Sequence, residues 1–304
     1  MTMFNPFYYW LVIPFVITQS SYSKYTRYIL RFLLDWNNNL NWVKYLNSGP
    51  QIIQWRSEHE ADFYLKFHNA YLSNSFDNNQ KLLSLTNHYD WLFSKVNTEL
   101  CENKALPLLQ YQIEGENPQL LTLNLHFKGK HRREGESCIL LELDGQVQYA
   151  LSFSYIILNG EPTFFIGGLQ AGKQDKINLD TIKHLTKSLY GLRPKQLLLH
   201  SLSTLCEFYE VKHIVGVSNQ NHFYQHSRKK RDQNRVKTNL DEFWLEFGGS
   251  LDPSGNYVFN PLSSQIDLSE IASKKRSQYR KRQLILDALT EQGNQQLEMV
   301  KKIS

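Results

Sequence analysis

Near Pro107 the chain changes its hydrophobic period, and that change constrains the fold more than any single motif. Before it, apolar residues recur every three or four positions: Tyr25, Tyr28, Ile29, Phe32 and Leu33, then Trp42, Tyr45 and Leu46 after an Asn-rich break at residues 37–39. That spacing lays an apolar stripe along helices, and two more are expected over residues 61–72 and 82–100. After it, residues 121–127, 138–143, 147–157 and 163–166 are short β-rich runs that mostly alternate apolar with polar. Asp144-Gly145 and Asn159-Gly160 between them are two-residue hairpin signals, and connections that short make neighbouring strands antiparallel.

The meander then gives way to a crossover. A helix over residues 180–190 is stopped by Gly191; a second opens at Pro194 and runs to about Tyr209, with Leu197, Leu198, Leu202, Leu205 and Phe208 on one face. A strand at residues 213–217 follows. The expected class is α+β: a helical region over residues 1–104, a mixed and mainly antiparallel core over 105–262 with crossover helices, and a basic C-terminal helix within 263–304.

Charge is unevenly spread. Residues 1–210 carry nineteen basic and nineteen acidic side chains, whereas residues 211–304 carry fifteen and ten, so the net charge of +5 belongs to the last third. Ser273-Lys-Lys-Arg276 and Tyr279-Arg-Lys-Arg282 are its densest part, with Arg228-Lys-Lys-Arg231 upstream. Such a field suits phosphate, nucleic acid or an anionic inner-membrane surface or lipid precursor; the plain alternative is a wet helix face. Nucleic acid is the weaker partner, because no helix-turn-helix, RNP or zinc-finger pattern accompanies the charges.

Cys101, Cys138 and Cys206 are far apart and odd in number, so neither a disulfide framework nor a zinc site is encoded, and a reducing compartment is expected. Residues 4–17 are apolar and aromatic but interrupted by Pro14, with no Lys or Arg before Lys24. They read as neither signal peptide nor membrane span, which favours the cytoplasm with peripheral contact at the inner membrane. His222 and His226 would share a helical face, but without a third ligand a structural pair is the better reading than a metal site. Glu134 and Glu136 read first as a charged turn ahead of Cys138.

Glu134-Gly-Glu136, Ile166-Gly-Gly-Leu-Gln170 with Gly172, residues 185–195, Val217-Ser-Asn219 with His222 and Tyr224, Phe243-Trp244, and the basic run at residues 273–282 together resemble the bacterial VirK/YbjX family from about residue 25 to 289. The resemblance implies a Gram-negative protein linked to virulence, envelope remodelling and resistance to cationic antimicrobial peptides. Two departures are Ser137 where many relatives have Leu, and Ala171 between Gln170 and Gly172.

The residues themselves offer an anion site. Gly191-Leu-Arg193-Pro-Lys195 precedes the Leu-rich helix, so unpaired backbone N–H groups, the helix dipole and two cations converge there; the sequence is neither a Walker A loop nor a GxGxxG fingerprint. The order of meander, phosphate-ready helix and strand is similar to the acyl-CoA-binding half of the GNAT acyltransferase fold. In that fold the strands flanking the helix splay apart and the pantetheine arm fills the gap. By that likeness Gln170, Gly172, Arg193, Lys195 and Asn219 would bind acyl-CoA or an acyl carrier protein, Tyr224 would protonate the leaving thiolate, and Glu134, Glu136 or His222 would be the base. Arg193, Lys195, Asn219 and Tyr224 are expected to line one pocket. The rival is a regulatory or interaction protein without catalysis.

Overall fold

The computed structural model describes residues 22–172, 179–225 and 239–302. The aromatic segment at residues 4–17, His226 and the Arg228–Arg231 run lie outside them. Helices α1 (Tyr22–Leu34), α2 (Trp36–Leu46), α3 (Pro50–Arg56), α4 (Glu60–Lys66), α5 (Asn78–Lys95) and α6 (Thr98–Cys101) lead into strands β1 (Leu106–Ile113), β2 (Gln119–His126), β3 (Ser137–Leu143), β4 (Gln146–Leu158) and β5 (Glu161–Ala171). Then come α7 (Leu179–Ser188), α8 (Pro194–Phe208), β6 (His213–Gly216), α9 (Leu240–Glu246), β7 (Ser250–Leu251), β8 (Tyr257–Phe259) and α10 (Ser273–Val300). The fold is mixed α+β, as the change of period implies.

All eight strands form one sheet in the order β1-β2-β3-β4-β5-β6-β8-β7. Every neighbouring pair is antiparallel except β5 with β6, which the α7–α8 crossover makes parallel over Thr163–Ile166 against His213–Gly216. The two hairpin turns have the chemistry they need. Asp144 and Gly145 sit at φ 49° and 75°, Asn159 and Gly160 at 52° and 83°, left-handed pairs that Asp, Asn and Gly tolerate and that match the strand twist.

Alternate residues of β4 serve two faces. Tyr149, Leu151 and Phe153 enter the main core, while Ala150 joins a small separate cluster with Cys138 and Leu140. Helix α8 runs through the main core, with Leu197, Leu198, Leu199, Leu202 and Leu205 fully covered. Its Ser201, Ser203 and Thr204 hydroxyls return hydrogen bonds to carbonyls three or four residues back, which is how polar side chains sit inside a buried helix. On the other flank of the core, α5 is fixed by an Asp77–Gln80 capping box and stacks Trp91 on Tyr155 at 5.3 Å.

Helix α10 divides into two parts. Ile285, Leu286, Leu289, Leu297 and Val300 pack into the core, whereas Lys274, Lys275, Arg276, Arg280 and Lys281 are exposed. Gln292 exchanges hydrogen bonds with the Gln110 backbone, so the helix covers the β1 edge that would otherwise invite another strand. Two details correct the helical reading. α4 stops at Lys66 instead of reaching 72, because Leu72 turns to φ 53° and its amide pairs with the Arg133 carbonyl. Strand β1 begins at Leu106 and accommodates Pro107 on the sheet edge at a bulge.

Candidate functional site

A cavity of about 830 Å³ opens at the start of α8, between α7, α9 and the β4 hairpin. Its wall is apolar at Tyr149, Ile182 and Phe243, and cationic at Lys183, Lys187, Arg193 and Lys195, against Glu242 and Glu246. Local sequence builds the mouth: Arg193 has extended backbone at the helix N-cap, and Pro194 takes the first position, where its missing N–H costs nothing. Arg193 pairs with Glu246. The Lys195 ammonium lies 5.7 Å above the Tyr149 ring and 5.9 Å above Phe243, and burial, with Arg193 adding repulsion, brings it down to about 8. The cavity therefore suits a ligand with an anionic end and an apolar body.

The four residues expected in one pocket are divided. Arg193 and Lys195 line the cavity; Asn219 and Tyr224 do not. Asn219 is held behind the wall, taking the Leu240 amide at its side-chain oxygen (3.1 Å), donating its own amide to Asp241 (2.8 Å) and its side chain to the cavity residue Asn239 (2.9 Å). It thus ties the end of β6 to the start of α9. Gly172 also acts through the backbone, donating to the Gln148 carbonyl at 2.9 Å where any Cβ would strike the Val147 oxygen.

Tyr224 stands at a second site, stacked 5.4 Å from the His222 ring. Here Glu134 is 1% exposed, its Oε2 accepts from the Gln170 side-chain amide, and its Oε1 has no hydrogen-bond partner. His222 Nε2 lies 3.7 Å from that oxygen. The imidazole takes the Tyr224 amide at Nδ1 (3.4 Å), so in its neutral form it carries the proton on Nε2, facing Glu134. Burial pushes the Glu134 carboxyl up to about 7 against the pull of the Gln170 hydrogen bond, and burial holds His222 down at about 4. Glycine makes the fit possible: a Cβ at Gly168 would overlap the Glu134 carboxylate, and one at Gly135 would overlap the Phe153 backbone.

Glu136 belongs to a third environment. Lys66 and Tyr89 both donate to its carboxylate, Ser154 takes its amide at 3.0 Å, and Tyr71 bonds the same serine hydroxyl at 2.8 Å. Burial would raise this acid, but the Lys66 ammonium, His88 and these donors hold it below the usual carboxylate range. Both acids of the Glu134-Gly-Glu136 motif are therefore interior, and the expectation of a charged turn is corrected. Lys66 is seventy positions from Glu136, and nothing in the local sequence announces the pair.

The strands relate the cavity to Glu134. β5 and β6 pair as far as the Val217 amide on the Ile166 carbonyl (2.9 Å). β5 then bulges at Gly167, the extra residue between the Phe153–Ile166 and Ser152–Gly168 rungs, while the Ser218 amide leaves for Asn256. On the β4–β5 hairpin, Tyr149 of the cavity wall pairs with Ala171, and the next rung pairs Ala150 with Gln170, the partner of Glu134. Tyr149 and Ala150 belong to opposite faces. Cavity and carboxyl thus lie one rung apart on the two sides of the sheet.

A family described as a protein of unknown function (DUF535) matches residues 18–295. The Escherichia coli K12 protein YbjX, described as uncharacterized, is 30% identical over 269 residues, covering 88% of this chain and 81% of its own. Two Haemophilus influenzae proteins, also described as uncharacterized, are 27% identical over 251 residues (81% of either chain) and 25% identical over 270 (88% of this chain, 86% of theirs). No solved structure matches. These matches bear out the resemblance to the VirK/YbjX proteins, and the chain belongs to the DUF535 family.

Proposed function

We propose that the cavity at the start of α8 holds a phosphopantetheine-bearing acyl donor, acyl-CoA or an acyl carrier protein, and that the chain transfers the acyl group to an amine or hydroxyl of an envelope precursor. The observation that carries this reading is the cavity itself: four cations, set against Glu242 and Glu246, around an apolar wall at a helix N-terminus. In the step, the acceptor nitrogen or oxygen attacks the thioester carbonyl, the carbon–sulfur bond breaks, and the thiolate takes a proton. Glu134, at about 7 and with one oxygen unpartnered, suits the acceptor's proton; Tyr224, on the same side of the sheet, suits the thiolate's. A GNAT-like core and a role in envelope remodelling and antimicrobial-peptide resistance fit this chemistry.

Titration calorimetry and thermal shift with coenzyme A and its acyl thioesters test the reading, since a ligand that binds the native state must raise its stability. Replacing Arg193 and Lys195 by alanine should weaken donor binding by about 1–3 kcal/mol per charged hydrogen bond lost, with the fold intact. No stabilisation by millimolar donor, or a double variant that binds as tightly as the parent, would sink it. The second reading, a non-catalytic protein that uses its basic last third on an anionic membrane or nucleic acid, is favoured by the exposed cations along the first turns of α10. Under it, Lys274→Gln with Lys275→Gln and Arg280→Gln would remove the function while the cavity variants would not.

A further inference from the structure

Helix α1 shows the protein an aromatic face and shows solvent an apolar one. Tyr28 and Phe32 are buried against the core. A surface helix of a globular protein is expected to be polar on the opposite side, but Leu30 is 58% exposed, Leu33 51% and Leu34 76%, with Trp36 at 39% just beyond the helix end. Single exposed leucines are ordinary; three within one turn and a half, with a tryptophan beside them, are a patch.

The charge pattern says what the patch faces. The chain contains no Asp or Glu before Asp35, while Lys24, Arg27 and Arg31 recur at helical spacing within α1. At 100° per residue these basic positions fall along one margin of the outward apolar stripe. An outward apolar face with a basic margin, and its first acid, Asp35, only beyond the helix end, is the pattern of a helix lying in a lipid interface, with its leucines below the headgroups and its cations among them. Two other occupants fit less well. A second copy meeting the patch around a two-fold axis would set basic margin near basic margin with no acid in the helix to neutralise them. The preceding residues 1–21 contain no charged side chain, so they bring nothing to pair with the cations. None of the described helices is long and apolar enough to cross a membrane, so the contact is one of lying on the surface.

We propose that Leu30, Leu33, Leu34 and Trp36, with the basic margin of α1, dock the protein on an anionic bilayer surface. This site is separate from the cavity and from the basic turns of α10, and the two are tested apart.

The experiment is flotation of the full chain with phosphatidylglycerol-containing vesicles, against vesicles of phosphatidylcholine alone. The parent should float with the anionic vesicles at about 0.05 M salt and more weakly at about 0.5 M, because salt screens the cations but leaves the apolar contact. Leu30→Gln, Leu33→Gln and Leu34→Gln together should weaken binding about tenfold or more while the urea midpoint stays at the parent's value, since these side chains are already in water. Gln at Lys274, Lys275 and Arg280 should leave most of the binding in place. The proposal is overturned if the parent does not float at low salt, or if the leucine variant floats as well as the parent. It is equally overturned if the leucine variant instead converts a dimer to a monomer by light scattering, or if flotation appears only after residues 1–21 are removed.

Discussion

Glu134 and Glu136 are two residues apart, equally deep, and opposite in character. Glu136 has an ammonium and a phenol donating to its carboxylate, with a serine on its amide, and stays charged. Glu134 has one amide donor, one bare oxygen and a neutral imidazole at 3.7 Å, and is raised to about 7. Burial is common to both, so burial alone does not decide what a carboxylate does; the supply of donors does. A fully satisfied buried pair fixes the packing between the α4–α5 region and the sheet. A buried oxygen without a partner costs about 1–3 kcal/mol, which is the asymmetry on which the proton-transfer role proposed for Glu134 rests.

The contrast breaks most severely at Lys66. Lys66→Met should cost about 3–5 kcal/mol, because it strands the Glu136 charge in the interior, whereas the double change Lys66→Met with Glu136→Gln should recover most of that loss. Urea denaturation of the two variants measures it. Equal destabilisation of single and double variants would mean that packing, not the charge pair, holds this part of the core.

The two acids should also answer pH with opposite signs. Glu134 has a folded value of about 7 against an ordinary 4.5, so the folded state keeps a proton that the unfolded chain has lost. Stability from this group is therefore present below about 4.5 and falls as pH rises to about 7, by about 3 kcal/mol in total. Glu134→Gln should gain on the parent by about that amount between pH 4.5 and 8. Glu136 is depressed, so its contribution is present above about 4.5 and lost in acid, and Glu136→Gln should instead lose on the parent as pH rises. In the parent the Glu134 slope is outweighed between about 4.5 and 6.5 by His222 together with His68, His88, His126 and His200, each brought down to about 4 by burial, which makes stability rise over the same range. Chemical denaturation at four pH values, read as the difference between variant and parent, separates the two. A Glu134→Gln difference that does not change with pH would refute the raised carboxyl.

What could be read from the sequence follows from how far apart the determinants lie. The Asp144-Gly145 and Asn159-Gly160 turns, the alternation of β2 to β5, and Pro194 at the head of α8 are local signals, and the structure has each where its pattern puts it. Strands β7 and β8 have only two and three residues, too few for a period to register, and β1 is disguised by Pro107. The pairing of Lys66 with Glu136 and the approach of His222 to Glu134 are contacts across seventy and eighty-eight positions, which no window of residues contains. The Glu134-Gly-Glu136 motif was visible as a motif. Its meaning depended on Gly135 and Gly168, whose missing side chains let the segment lie against β4 and β5.

Gly168 gives the smallest and most discriminating test. A methyl at this position would meet the Glu134 side chain, not backbone, so Gly168→Ala displaces a buried carboxyl and should cost about 1–3 kcal/mol. Moving the carboxyl away breaks the Gln170 hydrogen bond, the one interaction that lowers the Glu134 value, so the acid should titrate higher still. The cost should then grow with pH, smallest below about 4.5 where Glu134 is protonated in both states and larger at and above about 7, a dependence that loss of packing would not produce. Coupling settles the cause: in a Glu134→Ala background the obstacle is gone, and the cost of Gly168→Ala should fall to within about 0.5 kcal/mol of zero. If the two changes are simply additive, the glycine serves the bulge geometry of β5 alone, and Glu134 loses its claim to a tuned position.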